Sequence, residues 1–271
     1  MNYRHAFHAG NHTEVFKHAV LTIVLDRLLQ KDKPLMVLDT HAGIGAYDLN
    51  SDEAIRTGEK NEGVAKIFGL QLKSAPKYTE ILHATNPHSL DFYPGSPEII
   101  RSMLREKDRM EACELHPTDF KALKRRYRFD NRVSTHNRDG YEAISALLPP
   151  RERRGLVFID PPFELRTETD LLVNALAMGK KKWSTGVNIA WYPIKNSDVG
   201  SRIAKAILAV GFQKLLQAEF VPYGKGTLLG GGIIICNTPW KVDEQIRDLC
   251  VELSGHLGDG GGYWSVNWLA E

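Results

Sequence analysis

Apolar positions along this 271-residue chain recur at two spacings. Short runs rich in Val, Ile and Leu predict strands at Leu35–Asp39, Met110–Glu114, Val133–His136, Leu156–Asp160, Val187–Trp191, Lys214–Val221 and Gly232–Cys236. Between them apolar residues return every three or four positions. That period predicts helices over Glu14–Gln30, Pro97–Arg105, Pro117–Arg126, Tyr141–Leu147, Glu168–Met178, Asp198–Val210 and Val242–Leu253. Strand–helix alternation argues a doubly wound α/β sheet with right-handed crossovers. The last two strands break the alternation, because only Pro222–Gly230 separates them, with Gly224, Gly226 and Gly230 supplying the turn. The expected sheet is therefore seven-stranded, parallel, and finished by a C-terminal antiparallel hairpin. Between Asp48 and Tyr93 the strand pattern lapses, with helical pieces at Val64–Lys73 and Thr79–Thr85. The segment at about 49–92 is read as a small helical insertion in a single domain spanning 1–271.

A chain of this length can bury one large α/β core. Its net charge is only +2, from 35 Lys+Arg and 33 Asp+Glu, so global charge does not announce a nucleic-acid partner. The distribution says more. Lys121 to Arg132 carries six basic residues against one acid, and Arg151–Arg154 and Lys180–Lys182 add smaller clusters. Cys113, Cys236 and Cys250 are widely spaced and form neither a metal-ligand pattern nor a disulfide framework, which suits reduced thiols and predicts no bound metal. The N-terminus has no apolar signal core, and Val20–Leu29 is broken by Asp26 and Arg27 and too short to span a bilayer. A cytoplasmic protein is expected.

The strand Leu156–Asp160 runs straight into Pro161-Pro162-Phe163. A buried parallel strand closing on Asp delivers that carboxylate to the edge where α/β sheets bind ligands. The two prolines stop the strand and stiffen the turn. A rigid acceptor, a backbone carbonyl and an aromatic face then lie within four residues, a set that suits a planar exocyclic amino group. After the first strand, Asp39-Thr40-His41-Ala42-Gly43-Ile44-Gly45 offers a Gly-x-Gly turn through which backbone can approach a ligand. The dinucleotide fingerprint needs a third small residue where Asp48 stands, so a nicotinamide fold is a poor match. His41 can serve packing or a ligand. Glu114 ends the second strand, where a carboxylate accepts both hydroxyls of a ribose or simply opens a helix. Asp139 and Gly140 hold the same edge after the third strand, as an amino-group acceptor beside an open backbone or as a plain Asp-Gly turn. Ser96, in Tyr93-Pro94-Gly95-Ser96-Pro97, is a candidate N-cap or ligand contact. Glu14, Lys17 and His18 share a helix face, and Lys17 and His18 suit a ligand carboxylate.

Taken together these motifs resemble a known family. Asp160-Pro161-Pro162-Phe163 resembles the signature of amino-methyltransferases, and a parallel sheet closed by a hairpin resembles the Rossmann-like class I methyltransferases. Tyr3-Arg4-His5-Ala6-Phe7-His8-Ala9-Gly10-Asn11-His12, Lys17-His18, Leu38-Asp39-Thr40-His41-Ala42-Gly43, Tyr93 to Pro97, Glu114-Leu115-His116-Pro117, Ile159 to Pro162 and Trp191-Tyr192-Pro193 are similar to the RlmJ family essentially end to end. These are bacterial 23S ribosomal RNA adenine-N6 methyltransferases. The resemblance implies S-adenosylmethionine as cofactor, held by Lys17, His18, His41, Gly43, Ser96, Glu114, Asp139, Gly140 and Asp160. It implies Asp160 as the catalytic residue, with Pro161 and Phe163 beside the base, and Tyr3 and Arg4 at the RNA. Phe163 stands where the family pattern has Tyr, which keeps stacking and loses a hydroxyl. The implied partner is 23S ribosomal RNA, protein-free or early in assembly, acted on by a monomer with no membrane association. Two alternatives use the same sheet edge: guanine-N2 methylation of RNA, and a non-catalytic nucleotide- or RNA-binding module.

Overall fold

In the computed structural model, which describes residues 5–195, 199–224 and 228–271, the chain folds around one eight-stranded sheet. In chain order the elements are α1 (His12–Leu29), β1 (Met36–Asp39), β2 (Ala46–Asp48), α2 (Asp52–Thr57), α3 (Val64–Ile67), α4 (Pro76–Thr85), β3 (Phe92–Pro94), α5 (Ser96–Met103), β4 (Arg109–Cys113) and α6 (Pro117–Tyr127). There follow β5 (Val133–His136), α7 (Gly140–Leu147), β6 (Gly155–Ile159), α8 (Glu168–Lys182), β7 (Val187–Ile194), α9 (Val199–Leu208), β8 (Leu215–Val221), β9 (Gly230–Cys236), α10 (Val242–Leu257) and β10 (Tyr263–Ala270).

The sheet order is β10-β8-β9-β7-β6-β1-β4-β5. From β7 to β5 every pairing is parallel, so the carboxyl ends of β1, β4, β5, β6 and β7 share one edge. The run Leu156–Ile159 is buried on both faces, as a parallel strand covered by helices requires. Strand β9 runs antiparallel between β7 and β8, with β8–β9 as the expected hairpin. The chain leaves β1 toward β4 and β5 and returns to its other side as β6. The crevice between β1 and β6 is thus a switch point of the kind where doubly wound sheets bind ligands.

Helix α1 packs against α10, α4 and α5 and across β9, and it is buried almost all round. Asn11 caps it, so that it begins at His12, two residues before the expected Glu14: the Asn11 Oδ1 accepts the backbone N–H of Thr13 (3.0 Å) and Glu14 (2.9 Å). Phe16 stacks on Phe220 with centroids 5.5 Å apart, fixing the helix on the sheet.

The sheet has one strand more than the pattern predicted. β10 adds to β8 as an antiparallel edge, and its residues, mostly half-exposed, lack the apolar run of a central strand. The segment after Asp48 holds α2, α3 and α4, bracketed by the two-stranded ribbon β2–β3. Three-residue strands carry too little period to be read from sequence. The start of the expected Asp198–Val210 helix and Gly226 of the hairpin turn lie outside the described residues. No helix of the described residues is long and apolar enough to cross a membrane. All three cysteines are free and buried, and burial pushes the thiols of Cys113 and Cys250 up to about 12.

Candidate active site

The loop after β1 is pinned to both neighbouring strands. Thr40 donates from N and from Oγ1 to the Phe158 carbonyl of β6 (3.0 Å each), and Ala42 N donates to the Cys113 carbonyl of β4 (2.8 Å). With its hydroxyl hydrogen on Phe158, Thr40 Oγ1 accepts from His41 Nδ1 (2.8 Å), leaving His41 Nε2 as an acceptor. Burial lowers the His41 pKa to about 4, so the ring is neutral at physiological pH. Gly43 takes a left-handed φ of +62°, and a Cβ there would lie 2.0 Å from the Tyr47 hydroxyl. Its N–H donates to Glu114 Oε2 (2.8 Å), while Glu114 Oε1 accepts from His116 N (2.7 Å). Glu114 therefore ties the glycine loop to the start of α6 and still has lone pairs on the cavity side. Burial raises its pKa.

Asp139 is the N-cap of α7, its Oδ1 accepting from Tyr141 N (2.8 Å) and Glu142 N (3.2 Å), and no described residue donates to Oδ2. Gly140 is required by packing: a Cβ on it would lie 2.1 Å from the Thr40 carbonyl oxygen. The openness expected there for a ligand is taken up by backbone. Ser96 is not an N-cap, since Gly95 holds that position; it is buried in the first turn of α5 and lines the cavity.

The other wall is a buried charge cluster. The Lys17 ammonium contacts Glu14 Oε1 and Asp160 Oδ2 together, and Glu14 Oε2 accepts from His5 Nε2 (2.8 Å). Burial works against the Lys17 charge, but Asp160 and Glu14 outweigh it and raise the pKa. Burial would also raise Glu14, yet His5 and Lys17 hold it well below the usual carboxylate range. Asp160 goes the other way: burial raises its pKa and Lys17 only partly opposes this. Two carboxylates around one cation are thus pushed apart, and Asp160 is the more basic of the two. Glu14, His18 and Asp160 bring ligand atoms within 4.8 Å of one another, but the cation among them is Lys17. Because its ammonium is committed to two carboxylates, Lys17 is not the free counter-ion expected for a ligand carboxylate. His18 is not one either. Burial lowers its pKa to about 3, and its Nδ1 shares a 2.9 Å hydrogen bond with Tyr93 Oη.

Phe163 adopts φ +50°, a left-handed conformation that costs a bulky residue about 1–2 kcal/mol. It meets Trp191 edge-on at 5.8 Å, and Lys17 Nζ lies 4.9 Å from the centroid of the same indole. Glu168 fixes the chain beyond, accepting from Tyr141 Oη at 2.7 Å and from Leu165 N at 3.4 Å.

Together these walls enclose a cavity of about 570 Å³ at the β1/β6 crevice. It brings together His18, His41, Gly43, Ser96, Glu114 and Asp139, with Lys17, Gly140, Asp160, Pro161 and Phe163 also on its walls. Tyr3 and Arg4 lie outside the described residues. Sequence reading missed Glu14, Trp191 and Asp39 as site residues. Asp39 is fully buried just beneath Ser96, and neither of its oxygens meets hydrogen-bond geometry with a described partner. Burial lifts its pKa to about 7, with the Ser96 hydroxyl and the His41 N–H close enough to oppose the shift. The buried Trp191 Nε1 is likewise without a partner. An unsatisfied carboxylate beneath the floor, carboxylate lone pairs left on Glu114 and on Asp139 Oδ2, and a net-negative trio fit a cationic nucleoside such as S-adenosylmethionine.

Comparison with known proteins agrees. Residues 32–270 match the family model described as "Ribosomal RNA large subunit methyltransferase D, RlmJ". The chain is 38% identical to Ribosomal RNA large subunit methyltransferase J of Escherichia coli and 36% identical to that of Haemophilus influenzae, each over 99% of both chains. A crystal structure of protein LPL1258 from Legionella pneumophila superposes with a TM-score of 0.89 at 32% identity, covering 96% of this chain and 98% of that one.

Proposed function

Because this chain belongs to the RlmJ family of ribosomal RNA large subunit methyltransferases, we propose that it methylates the exocyclic N6 of one adenine in 23S ribosomal RNA. Its cofactor is S-adenosylmethionine. The observation that carries the reading is Asp160: a carboxylate at the end of β6, anchored by Lys17, with its pKa raised, next to the Pro161 carbonyl and the Phe163 ring.

In this reading Glu114 accepts the ribose hydroxyls of the cofactor and Asp139 Oδ2 its adenine amino group. His18, His41 and Ser96 flank the methionine part, above the charge of Asp39. When bound, S-adenosylmethionine supplies an electrophilic methyl group. The lone pair of adenine N6 is delocalised into its ring and is a poor nucleophile. Asp160 and the Pro161 carbonyl accept its two N–H groups, which draws the lone pair out of conjugation. Phe163 takes the face of the flipped base and replaces its lost stacking partner. Once methylated, the nitrogen must shed a proton, and Asp160 is the acceptor in reach; its raised pKa makes it a better base than an ordinary carboxylate. Lys17 keeps Asp160 oriented and, with Glu14, leaves the trio at net −1, which favours a centre where positive charge develops.

We further read the chain as one methyltransferase domain with a helical insertion at about 49–92, acting as a monomer in the bacterial cytoplasm on RNA not yet assembled. Tyr3 and Arg4 lie at the RNA in this reading. The test is methyl incorporation into naked 23S RNA and intact 50S particles, followed by nucleoside mass analysis. N6-methyladenosine, formed faster on naked RNA, is expected. N2-methylguanosine, or no methyl transfer, would overturn the base assignment, and faster modification of the particle would overturn the substrate form.

A further inference from the structure

Helix α6 carries an unpaired basic stripe beside the cavity. Lys121, Lys124, Arg125 and Arg128 are exposed and fall at i, i+3, i+4 and i+7, so they lie on one face. The opposite face buries Leu123 and Tyr127, and Tyr127 Oη donates to Glu98 at 3.0 Å. Among the described residues none of the four has an acidic partner. Several basic residues on other helices are paired, Lys66 with Glu62, Lys77 with Glu80 and Arg247 with Asp243, whereas exposed Lys181 and Lys182 at the end of α8 have no acidic partner among the described residues. Elsewhere in the basic runs part of the charge is spent on structure. Arg132 binds Asp130 and the Leu104 carbonyl, and Arg154 binds the carbonyls of Leu28 and Lys33. Together with Arg126, whose side chain packs by Gly45, the stripe is the part of Lys121–Arg132 that no acid among the described residues neutralises.

Its end and its position both point to nucleic acid. Phe129 is 84% exposed, with the Arg128 guanidinium 4.5 Å from its ring centroid, a pairing that offers a base both a face and a cation. Leu115, His116 and Asp119, at the start of the same helix, line the cavity. Its far end packs on the glycine loop, where a Cβ on Gly45 would sit 2.8 Å from Arg126 Cδ. From Lys121 to Arg128 the stripe extends about 10 Å at ~1.5 Å per residue. We propose that this face of α6 binds the sugar–phosphate backbone of the RNA strand that delivers the target base, with Phe129 stacking an unpaired nucleotide. The inference rests on the RNA reading above and adds to it where the strand runs.

The test neutralises the stripe in the full-length protein, as Lys121→Gln, Lys124→Gln, Arg125→Gln and Arg128→Gln combined, with Lys181→Gln and Lys182→Gln combined as the control surface. The probe is a fluorescent hairpin of 23S RNA that wild type methylates. The stripe variant should weaken hairpin binding by about tenfold or more and lower the salt slope of log Kd by roughly 3, at 0.7–0.9 per phosphate contact. S-adenosylhomocysteine affinity and the rate at saturating RNA should stay unchanged, and the control variant should bind as wild type. Unchanged hairpin affinity and slope in the stripe variant, or an equal loss in the control, would overturn the proposal. So would normal hairpin binding with failure only on ribosomal particles, which would assign the stripe to a protein. If wild type itself transfers no methyl to RNA, the underlying reading fails instead, and the two failures are told apart.

Discussion

Replacing Asp39 by Asn should remove a loss of stability that wild type suffers as pH rises, and should make the protein a poorer binder of its cofactor. Asp39 is buried at the end of β1, and its carboxyl titrates at about 7 in place of the ordinary 3.8. The unfolded chain therefore gives up this proton near pH 4, whereas the folded protein keeps it until near pH 7. Within that window the native state holds the extra proton, so stability falls as pH rises and levels off above about 7. A gap of about 3 pKa units at ~1.4 kcal/mol each caps the loss at about 4 kcal/mol. Asn is nearly isosteric and does not ionise. Any cost of burying the amide shifts its whole curve and drops out of the comparison. The gain of Asp39→Asn over wild type should thus grow by about 2–4 kcal/mol between pH 5 and pH 8, equivalent to roughly 5–10 °C in melting temperature. Cofactor binding should behave oppositely. A cation above Asp39 favours its ionised form, so wild-type affinity should strengthen as pH rises toward 7 with proton release, and the variant's should stay flat. Thermal melts and calorimetry from pH 5 to pH 8 read both effects. Parallel stability curves for the two proteins would refute the reasoning.

Three further outcomes follow from the cluster and the walls. Lys17→Met strands two buried carboxylates and should cost about 3–5 kcal/mol of stability; it should also move the acidic limb of the methylation pH profile upward, because Asp160 then holds its proton longer, and an unmoved limb would contradict this. Glu114→Ala should weaken S-adenosylhomocysteine binding by about 1–3 kcal/mol, as calorimetry would show, while an unchanged Kd would leave Glu114 as a loop tie only. Phe163→Ala should lower kcat/KM for RNA by an amount worth about 1–3 kcal/mol of base stacking with no change in cofactor Kd, and Phe163→Tyr should retain activity; equal loss in both variants would argue against stacking.

Sequence pattern was informative where one period dominated. The buried run Gly155–Ile159 closing on Asp160 has a single reading, and so do the βα units that bring Glu114 and Asp139 to the same edge as Asp160. Helix α1 was harder, because Glu14, Lys17 and His18 look like a polar face while the fold buries all three, Glu14 and Lys17 paired with each other and His18 bonded to Tyr93. Spacing put them on one face but could not show that the Lys17 charge is consumed by Asp160, 143 residues away. Asp39 was hidden for a related reason: an Asp ending a strand reads as loop chemistry, and only three-dimensional packing reveals that neither oxygen meets hydrogen-bond geometry with a described partner. Strand β10 follows Gly258–Gly262 and is mostly half-exposed, so its pairing with β8 depends on a neighbour distant in sequence.

The central claim is that Asp160 acts on the reacting amine. Single-turnover methylation of a 23S RNA hairpin by wild type, Asp160→Asn and Asp160→Ala, at saturating cofactor and RNA, tests it most directly. Asp160→Ala should lose methyl transfer while keeping its affinity for S-adenosylhomocysteine and for the hairpin, with Glu14 still holding Lys17 in the fold. Asp160→Asn should retain a measurable fraction, since an amide oxygen still accepts one N–H. Wild-type turnover by Asp160→Ala would contradict the account.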